Sequence, residues 1–252
     1  MNTFEKHGVN YLSASTINLW IMQPALCLLK ISGITDQGAG PSAWRGNAVD
    51  RIAAQIAADK TIKASALIKA AHEEFDRQTK KAVDAHDEKK ITKERNSIEK
   101  MVIHTHDFYR SINDEFKEEQ GKVKIKIGDI PVPWIGYFDL LYADKVRDVK
   151  TVARKVSGVS SAHARQASIY AVGTGREPWI DYISTTGVAP FEVKNVKQRI
   201  AEVENAALAL QRTLSFSDDI FECCRCVFPD LDHWIWGETT KLAAKDIWQI
   251  GD

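Results

Sequence analysis

The sequence has no excess of charge of either sign. Its 252 residues carry 34 Lys plus Arg against 34 Asp plus Glu, a formal net charge of zero. No overall field therefore draws the chain to a polyanion, and any path for nucleic acid must come from local positive patches. Long apolar runs are also missing, so no segment reads as a membrane span. The opening MNTFEKHGVN does not read as a signal peptide. Only four cysteines are present, and without an export signal they read as reduced thiols of a cytoplasmic protein. Glycine and proline almost vanish between Lys60 and Glu119, which removes the turns an all-β chain would need there. What is present suffices for a sizeable core: 44% of residues are hydrophobic. The length fits one large domain, or one domain with a substantial helical insertion.

Tyr11-Leu-Ser-Ala-Ser-Thr opens a helix, with Ser13 or Ser15 as N-cap and Ile17, Leu19, Trp20 and Ile21 following. Gln23-Pro24 breaks or restarts it, and Ala25 to Ile31 continues as an apolar helical segment. Gly33 to Pro41 is a loop. A second helix begins near Trp44, with Val49, Ile52, Ala53 and Ile56 as its apolar stripe. Asp50 sits beside that stripe over Ala53, Ala54 and Ala57, so an acid on a small-residue face can come close to a sheet. A surface aspartate is the alternative. In 60–119, Ile98, Met101, Val102, Thr105, Phe108, Ile112 and Phe116 recur at helical spacing. This predicts two or three amphipathic helices, the last long. Histidines 72, 86, 104 and 106 are scattered through it; His104 and His106, two apart, face different sides of a helix.

Trp134 to Lys150, WIGYFDLLYADKVRDVK, reads in period two as a hairpin, with strands near Ile135–Tyr142 and Val146–Lys150. Asp148 and Lys150 share one face of their strand. A two-residue turn at Asp144-Lys145 pairs Ala143 with Val146, Leu141 with Asp148 and Asp139 with Lys150. All three polar groups then lie on one face, whereas a three-residue loop puts Asp139 on the other. Two carboxylates and a lysine inside apolar runs are costly to bury unless paired or metal-bound. Oxygen ligands without nearby His or Cys suit Mg²⁺ or Mn²⁺. A lysine beside such an ion can orient a water and stabilise charge on a phosphate. A solvated edge hairpin with a chance ion pair is the bland alternative.

Lys122 to Gly128 alternates as a strand leading into the hairpin, giving a three-stranded meander. After Lys150 comes a basic loop with Arg154 and Lys155. Ser160 or Ser161 caps a helix that runs to about Val172 and stops at Gly173 and Gly175. Gln166 and Tyr170 share a face on it, and Arg165 lies beside them. Pro178-Trp-Ile-Asp-Tyr-Ile-Ser-Thr can lie parallel to the hairpin's second strand. Phe191 to Val196 adds an edge strand, then Val196 to Leu214 is amphipathic. Lys241 to Ile250 forms a short last helix. The aromatics before it pack that helix onto the core, and Trp234 or Trp236 stacking on a base is the lesser alternative.

Asp139, then Asp148-Val-Lys150, then Gln166-x-x-x-Tyr170, on strand, strand and helix, resembles the PD-(D/E)xK nuclease superfamily. Within it the chain is similar to the RecB-like and phage exonuclease-like branch. The opening Ser-Ala-Ser-Thr-x-x-x-Leu-Trp and Arg45-Gly-Asn-Ala-Val-Asp50 match that branch too. The resemblance spans nearly the full chain, with 60–119 as its variable part. It implies an α/β, restriction-endonuclease-like core: a mixed central sheet flanked by helices in the order α-β-β-β-α-β. The whole chain is then one nuclease domain with a helical layer over 60–119 and a helical tail over 195–252.

The resemblance implies a Mg²⁺- or Mn²⁺-dependent deoxyribonuclease. Asp139, Asp148 and the Val149 carbonyl bind the metal, Asp50 is a further ligand, and Lys150 orients water and bears transition-state charge. Gln166 and Tyr170 position the DNA end or the lysine. Apart from the resemblance, Arg154, Lys155 and Arg165 lie close in sequence and are candidates to hold phosphates. Exonuclease action in phage-type recombination or processing follows, in the host cytoplasm if phage-encoded, with a single-strand annealing protein as natural partner. A homo-oligomeric ring would favour processive digestion. A structure-specific or CRISPR-adaptation-type endonuclease, a non-catalytic DNA-binding relative and a helical interaction scaffold are the alternatives.

Two departures stand out. Relatives usually have histidine where this chain has Asp50. Some relatives also hold an iron–sulfur cluster with a C-x₂-C-x₅-C tail. Here Cys223-Cys-Arg-Cys226 lacks the last cysteine, Asp232 and His233 standing near its place, and Cys27 is displaced. That weighs against a cluster and leaves zinc through Cys223, Cys226 and His233, or free thiols.

Overall fold

The structure is a computed structural model, and it describes residues 1–36, 38–82 and 87–251. His86 lies outside the described residues. In chain order the helices are α1 (Thr3–Lys6), α2 (Ala14–Met22), α3 (Pro24–Ile31), α4 (Pro41–Ala58), α5 (Ala64–Lys81), α6 (Glu88–Ser111), α7 (Ser161–Thr174), α8 (Val196–Leu214), α9 (Ile220–Cys224) and α10 (Glu238–Trp248). The strands are β1 (Phe116–Glu119), β2 (Lys122–Ile125), β3 (Trp134–Tyr137), β4 (Leu140–Tyr142), β5 (Lys145–Thr151), β6 (Glu177–Ser184) and β7 (Gly187–Glu192). The chain divides into two compact units. A terminal unit comprises Met1–Asp36, Val123–Gly136 and Asn195–Asp252, and a sheet unit comprises Gln37–Lys122 and Tyr137–Lys194. Among the described residues no helix is long and apolar enough to cross a membrane.

The sheet unit is α/β. Its mixed five-stranded sheet runs β1-β4-β5-β6-β7. β5 and β6 are parallel, as their connection through α7 predicts, and the other neighbours are antiparallel. Alternate side chains serve opposite faces. Leu140, Tyr142, Val149 and Ile183 join the core that α4, α5 and α6 build on one face. Ile180 and Tyr182 meet Ala164 and Ala167 of α7 on the other. Pro41 at the start of α4 supplies a φ already suited to a helix, and Ala48, Val49, Ile52, Ala53 and Ile56 form its buried stripe. Beneath α6, Asp181 of β6 is fully buried. It receives hydrogen bonds from Tyr109 Oη at 2.8 Å and Arg147 Nη1 at 2.7 Å.

Several expected boundaries move. The last helix of 60–119 ends at Ser111, because Ile112 turns extended (φ −72°, ψ 120°). Phe116, expected on that helix, starts β1 and sets its ring edge-on to Tyr142 at 5.7 Å, so pairing with β4 overrides the helical spacing. The expected first hairpin strand is two strands: β3 pairs with β2 in a separate two-stranded sheet, and β4 lies in the large one. The three-stranded meander therefore does not form. The hairpin turn is Ala143-Asp144, pairing Leu141 with Val146 and Leu140 with Arg147. Lys145 is held in the strand by an ion pair to Asp114 at 2.6 Å. Pairing slips by two residues, and a slip of two preserves the face of every side chain. α7 continues through Gly173 and ends at Gly175, whose φ of +67° needs no Cβ. The edge strand beyond β6 starts at Gly187 rather than Phe191.

In the terminal unit, Ser13 caps α2 by accepting from Thr16 N–H at 3.2 Å, and Pro24 opens α3. Leu12 adds to β3 through hydrogen bonds with Pro133 and Ile135. Gly128 has a φ of +54°, and any Cβ there would run into the Glu204 carboxylate. Val203, Ala207, Leu210 and Leu214 are the buried stripe of α8. The Asp36 carboxylate caps α10, accepting from Gly237 N–H and Thr240 N–H at 3.0 and 3.2 Å. Trp236 is buried and donates from Nε1 to Gln23 at 3.2 Å, a packing role, whereas Trp234 is 82% exposed.

Removing one partner of a buried ion pair strands the other charge away from water. Arg147→Met should therefore destabilise the protein by about 3–5 kcal/mol, read as a lower urea midpoint with unchanged slope.

Candidate active site

The acids and the lysine come from three elements of the sheet unit. Asp148 and Lys150 project from β5 to the α7 face, together with Ile180 and Tyr182 of β6; Lys150 is in register with Tyr182. Asp139 sits at the bend just before β4. Its Oδ2 accepts from the Val149 N–H at 2.6 Å. An extended residue directs its N–H and C=O to the same side, so the Val149 carbonyl also faces the side where Asp139 lies. Asp50 arrives from α4. That helix can come close because Gly46 leaves room: a Cβ there would stand 3.3 Å from Thr151 Oγ1. Asp50, Asp139, Asp148 and Lys150 act on one another electrostatically.

Asp148 is 2% exposed. Its Oδ2 lies 2.6 Å from Lys150 Nζ, a charge-assisted contact that ties the two side chains together. Asp50 Oδ1, by contrast, is buried without a hydrogen-bond partner. Burial, less Lys150 and plus Asp148, pushes the Asp50 carboxyl up to about 7. Burial and then the Asp148 and Asp50 charges raise Asp139 well above the usual carboxylate range. For Lys150, burial works to lower the ammonium, but Asp148 and Asp139 outweigh it and the pKa stands above the ordinary lysine value. The single lysine does not neutralise three carboxylates. Such a set of hard oxygens, with Asp50 Oδ1 buried and unpartnered, fits a divalent cation of the Mg²⁺ or Mn²⁺ type. A cavity of about 480 Å³, lined by Asn47, Asp50, Arg51, Glu74, Glu119 and Gln120, opens on the Asp50 side, with Arg51 paired to Glu74 at 3.6 Å. As the side chains stand, with Lys150 against Asp148, no three His, Cys, Asp or Glu among the described residues are set at metal-ligand spacing.

Gln166 Nε2 donates to Tyr170 Oη at 2.7 Å. Burial and then Asp148 raise the Tyr170 phenol above its usual value, which places the pair beside the carboxylates. Sequence reasoning missed His163, which precedes Gln166 and Tyr170 at i, i+3, i+7 on the same face of α7. That spacing was the available signal. His163 Nδ1 shares a 2.7 Å hydrogen bond with Tyr182 Oη, and burial, then Lys150, lower its pKa. Arg154 and Lys155 are exposed in the loop after β5. Arg165 is half-buried and engaged with its neighbours.

The cysteines lie in the terminal unit. Cys27, Cys223 and Cys224 are buried and Cys226 is exposed. Cys223 Sγ donates to the Ser217 carbonyl at 3.3 Å and Cys226 Sγ to Glu222 at 3.8 Å. His233 Nδ1 accepts from Ile235 N–H at 3.3 Å. Each of these three is thus turned to backbone.

No family model matches the chain, and no curated protein matches it. Among solved structures, the crystal structure of SSO0001 aligns at 18% identity with a TM-score of 0.31, covering 36% of this chain and 49% of that one. The chain thus spans about half the length of that protein, and a likeness so weak carries no argument.

Asp50 has a folded pKa near 7 against an ordinary 3.8. Its folded state is favoured where the carboxyl is protonated, and that contribution is lost as pH rises from about 4 through about 7. Asp50→Asn should therefore raise the thermal midpoint in chelator at pH 8 by a few degrees and leave it nearly unchanged at pH 4, by scanning calorimetry.

Proposed function

We propose that the protein is a metal-dependent deoxyribonuclease with a restriction-endonuclease-like core, acting as an exonuclease in phage-type recombination or DNA processing. The observation that carries this reading is the convergence of Asp50, Asp139 and Asp148 on Lys150 from α4, the β4 bend and β5. The order of these groups, and the Gln166–Tyr170 pair that follows on α7, is that of the PD-(D/E)xK superfamily it resembles. Asp139, Asp148 and the Val149 carbonyl would hold Mg²⁺ or Mn²⁺, with Asp50 as a further ligand. A bound ion would polarise the scissile phosphate and lower the pKa of a bound water.

The chain's own groups do the rest. Lys150 keeps its proton at Nζ, so it acts as a fixed positive charge that orients water and offsets the charge developing on phosphate, not as a general base. The Val149 N–H fixes the Asp139 carboxylate in one orientation. The Gln166 amide holds the Tyr170 hydroxyl, which lies near enough to Asp148 to feel its charge. A non-catalytic DNA-binding relative would have no need of three carboxylates around a retained lysine.

End-labelled linear duplex, a closed circle and single-stranded DNA, each in Mg²⁺, Mn²⁺ and chelator, test the reading. Loss of linear DNA alone in either metal, reduced at least about 100-fold by Lys150→Ala, is the expected result. Cutting of the circle would convert the assignment to endonuclease, and no cleavage in either metal would sink it. Because a cation needs the Asp50 carboxyl ionised, Mg²⁺ binding should release protons near pH 7. Calorimetry in two buffers of different ionisation enthalpy would then give different apparent heats, and Asp50→Asn should shrink that difference.

A further inference from the structure

We infer that a second pocket of the sheet unit binds a phosphate group of the nucleic-acid strand, an inference that rests on the nuclease reading. The pocket has a volume of about 450 Å³ and is walled by Lys93 and Lys100 of α6, Arg154 of the loop after β5, and Arg45 of α4. Four cations line it against one carboxylate, Glu94. That carboxylate is already committed to an ion pair with Arg45. Lys93, Lys100 and Arg154 have no carboxylate within ion-pair distance among the described residues. Lys93, Ser97 and Lys100 stand at i, i+4, i+7, so one face of α6 supplies all three. Arg95, beside that face, is by contrast bonded at both Nε and Nη2 to Asp76, at 2.7 and 2.9 Å.

Arg45 makes this a built site. It is 5% exposed, held by Glu94 and by a 3.4 Å bond from Nη2 to Thr151 Oγ1, and its buried Nε has no hydrogen-bond partner. A guanidinium held in place at the wall, two exposed lysine ammonium groups and a second arginine suit the several oxygens of a phosphate. The hydroxyls of Ser97 and Thr185 add neutral donors at the wall. No aromatic side chain lines the pocket, so nothing there stacks a base, and recognition is of the phosphate rather than the sequence.

The pocket adjoins the carboxylate cluster through the chain itself. Arg154 follows Lys150 by four residues, and Arg45 precedes Asp50 by five on α4, about 7.5 Å of helix rise. A strand held by one phosphate in the pocket would thus be anchored next to the acids. The same chemistry serves a terminal phosphate or an internal phosphodiester.

The test uses a fluorescein-labelled thymidine oligonucleotide in chelator, over a salt series, with the wild-type protein and the Lys93→Ala/Lys100→Ala double variant. Both lysines are exposed, so the fold survives their loss. The double variant should bind more weakly, and its slope of log affinity against log salt should be shallower by about 0.7 for each phosphate it no longer neutralises. Arg154→Ala should act in the same direction. Oligonucleotides with a 5′-phosphate, a 3′-phosphate or hydroxyl ends separate the sources. A preference for one phosphorylated end, abolished in the double variant, assigns a terminal phosphate. Equal binding of all three, with the shallower slope, assigns an internal one. A wild-type protein that cleaves and binds, with a double variant of identical affinity and slope, overturns the pocket and spares the nuclease. A wild-type protein that neither binds nor cleaves overturns both.

Discussion

Strand β5 carries charge into the interior on both of its faces, and the sheet unit is arranged around that constraint. Arg147 and Val149 point to the side of α4, α5 and α6, while Asp148 and Lys150 point to the side of α7. On the first face the charge is closed off: Asp181 and Tyr109 complete the Arg147 pairing, and the rings of Trp179, Phe108 and Tyr142 lie around the guanidinium at 5.1 to 5.8 Å. On the second face it is left open. One lysine answers three carboxylates, and a buried oxygen of Asp50 has no hydrogen-bond partner. The closed face can hold the strand rigidly while the open one retains its uncompensated charge, which is how a fold carries a locally unfavourable cluster.

Much of this was legible in the sequence because period and face are local properties. Asp148 and Lys150 had to share a face whatever the pairing, and Asp139 joined them for any even-length turn. The observed turn at Ala143-Asp144 differs from the expected one, yet the parity survives. Helix starts were readable where a residue type has one physical use, as with Ser13, Pro24 and Ser160. What escaped was decided at a distance. Phe116 fits a helical stripe, and only the ring of Tyr142 draws it into a strand. The run from Ile135 to Tyr142 looks continuous, and only the pairing partners of β3 and β4 divide it. The partition into two units was likewise hidden, because its segments alternate along the chain.

The candidate site divides the same way. The strand residues follow from alternation, whereas Asp50 is placed by helix packing that a single sequence shows only as small residues, Gly46 and the alanines beside the stripe. His163 was overlooked because a lone histidine on a helix carries no signal until its neighbours three and seven residues on are known to face the acids. The cation-lined pocket was invisible for a further reason: its four cations come from three segments more than 40 residues apart, and a formal charge of zero conceals them. Local field, not total charge, is what a phosphate meets.

The alternation of segments between the two units bears on how the protein is made. The first 36 residues belong with a stretch near the middle of the chain and with the last 58. During synthesis α2 and α3 emerge before the sheet unit, but α8, which packs against α2, is made only after it. The terminal unit must therefore wait for α8, its apolar helices exposed meanwhile, and its closure is a long-range step of the kind that slows folding and invites chaperones. The sheet unit has its last residue at Lys194 and can assemble first.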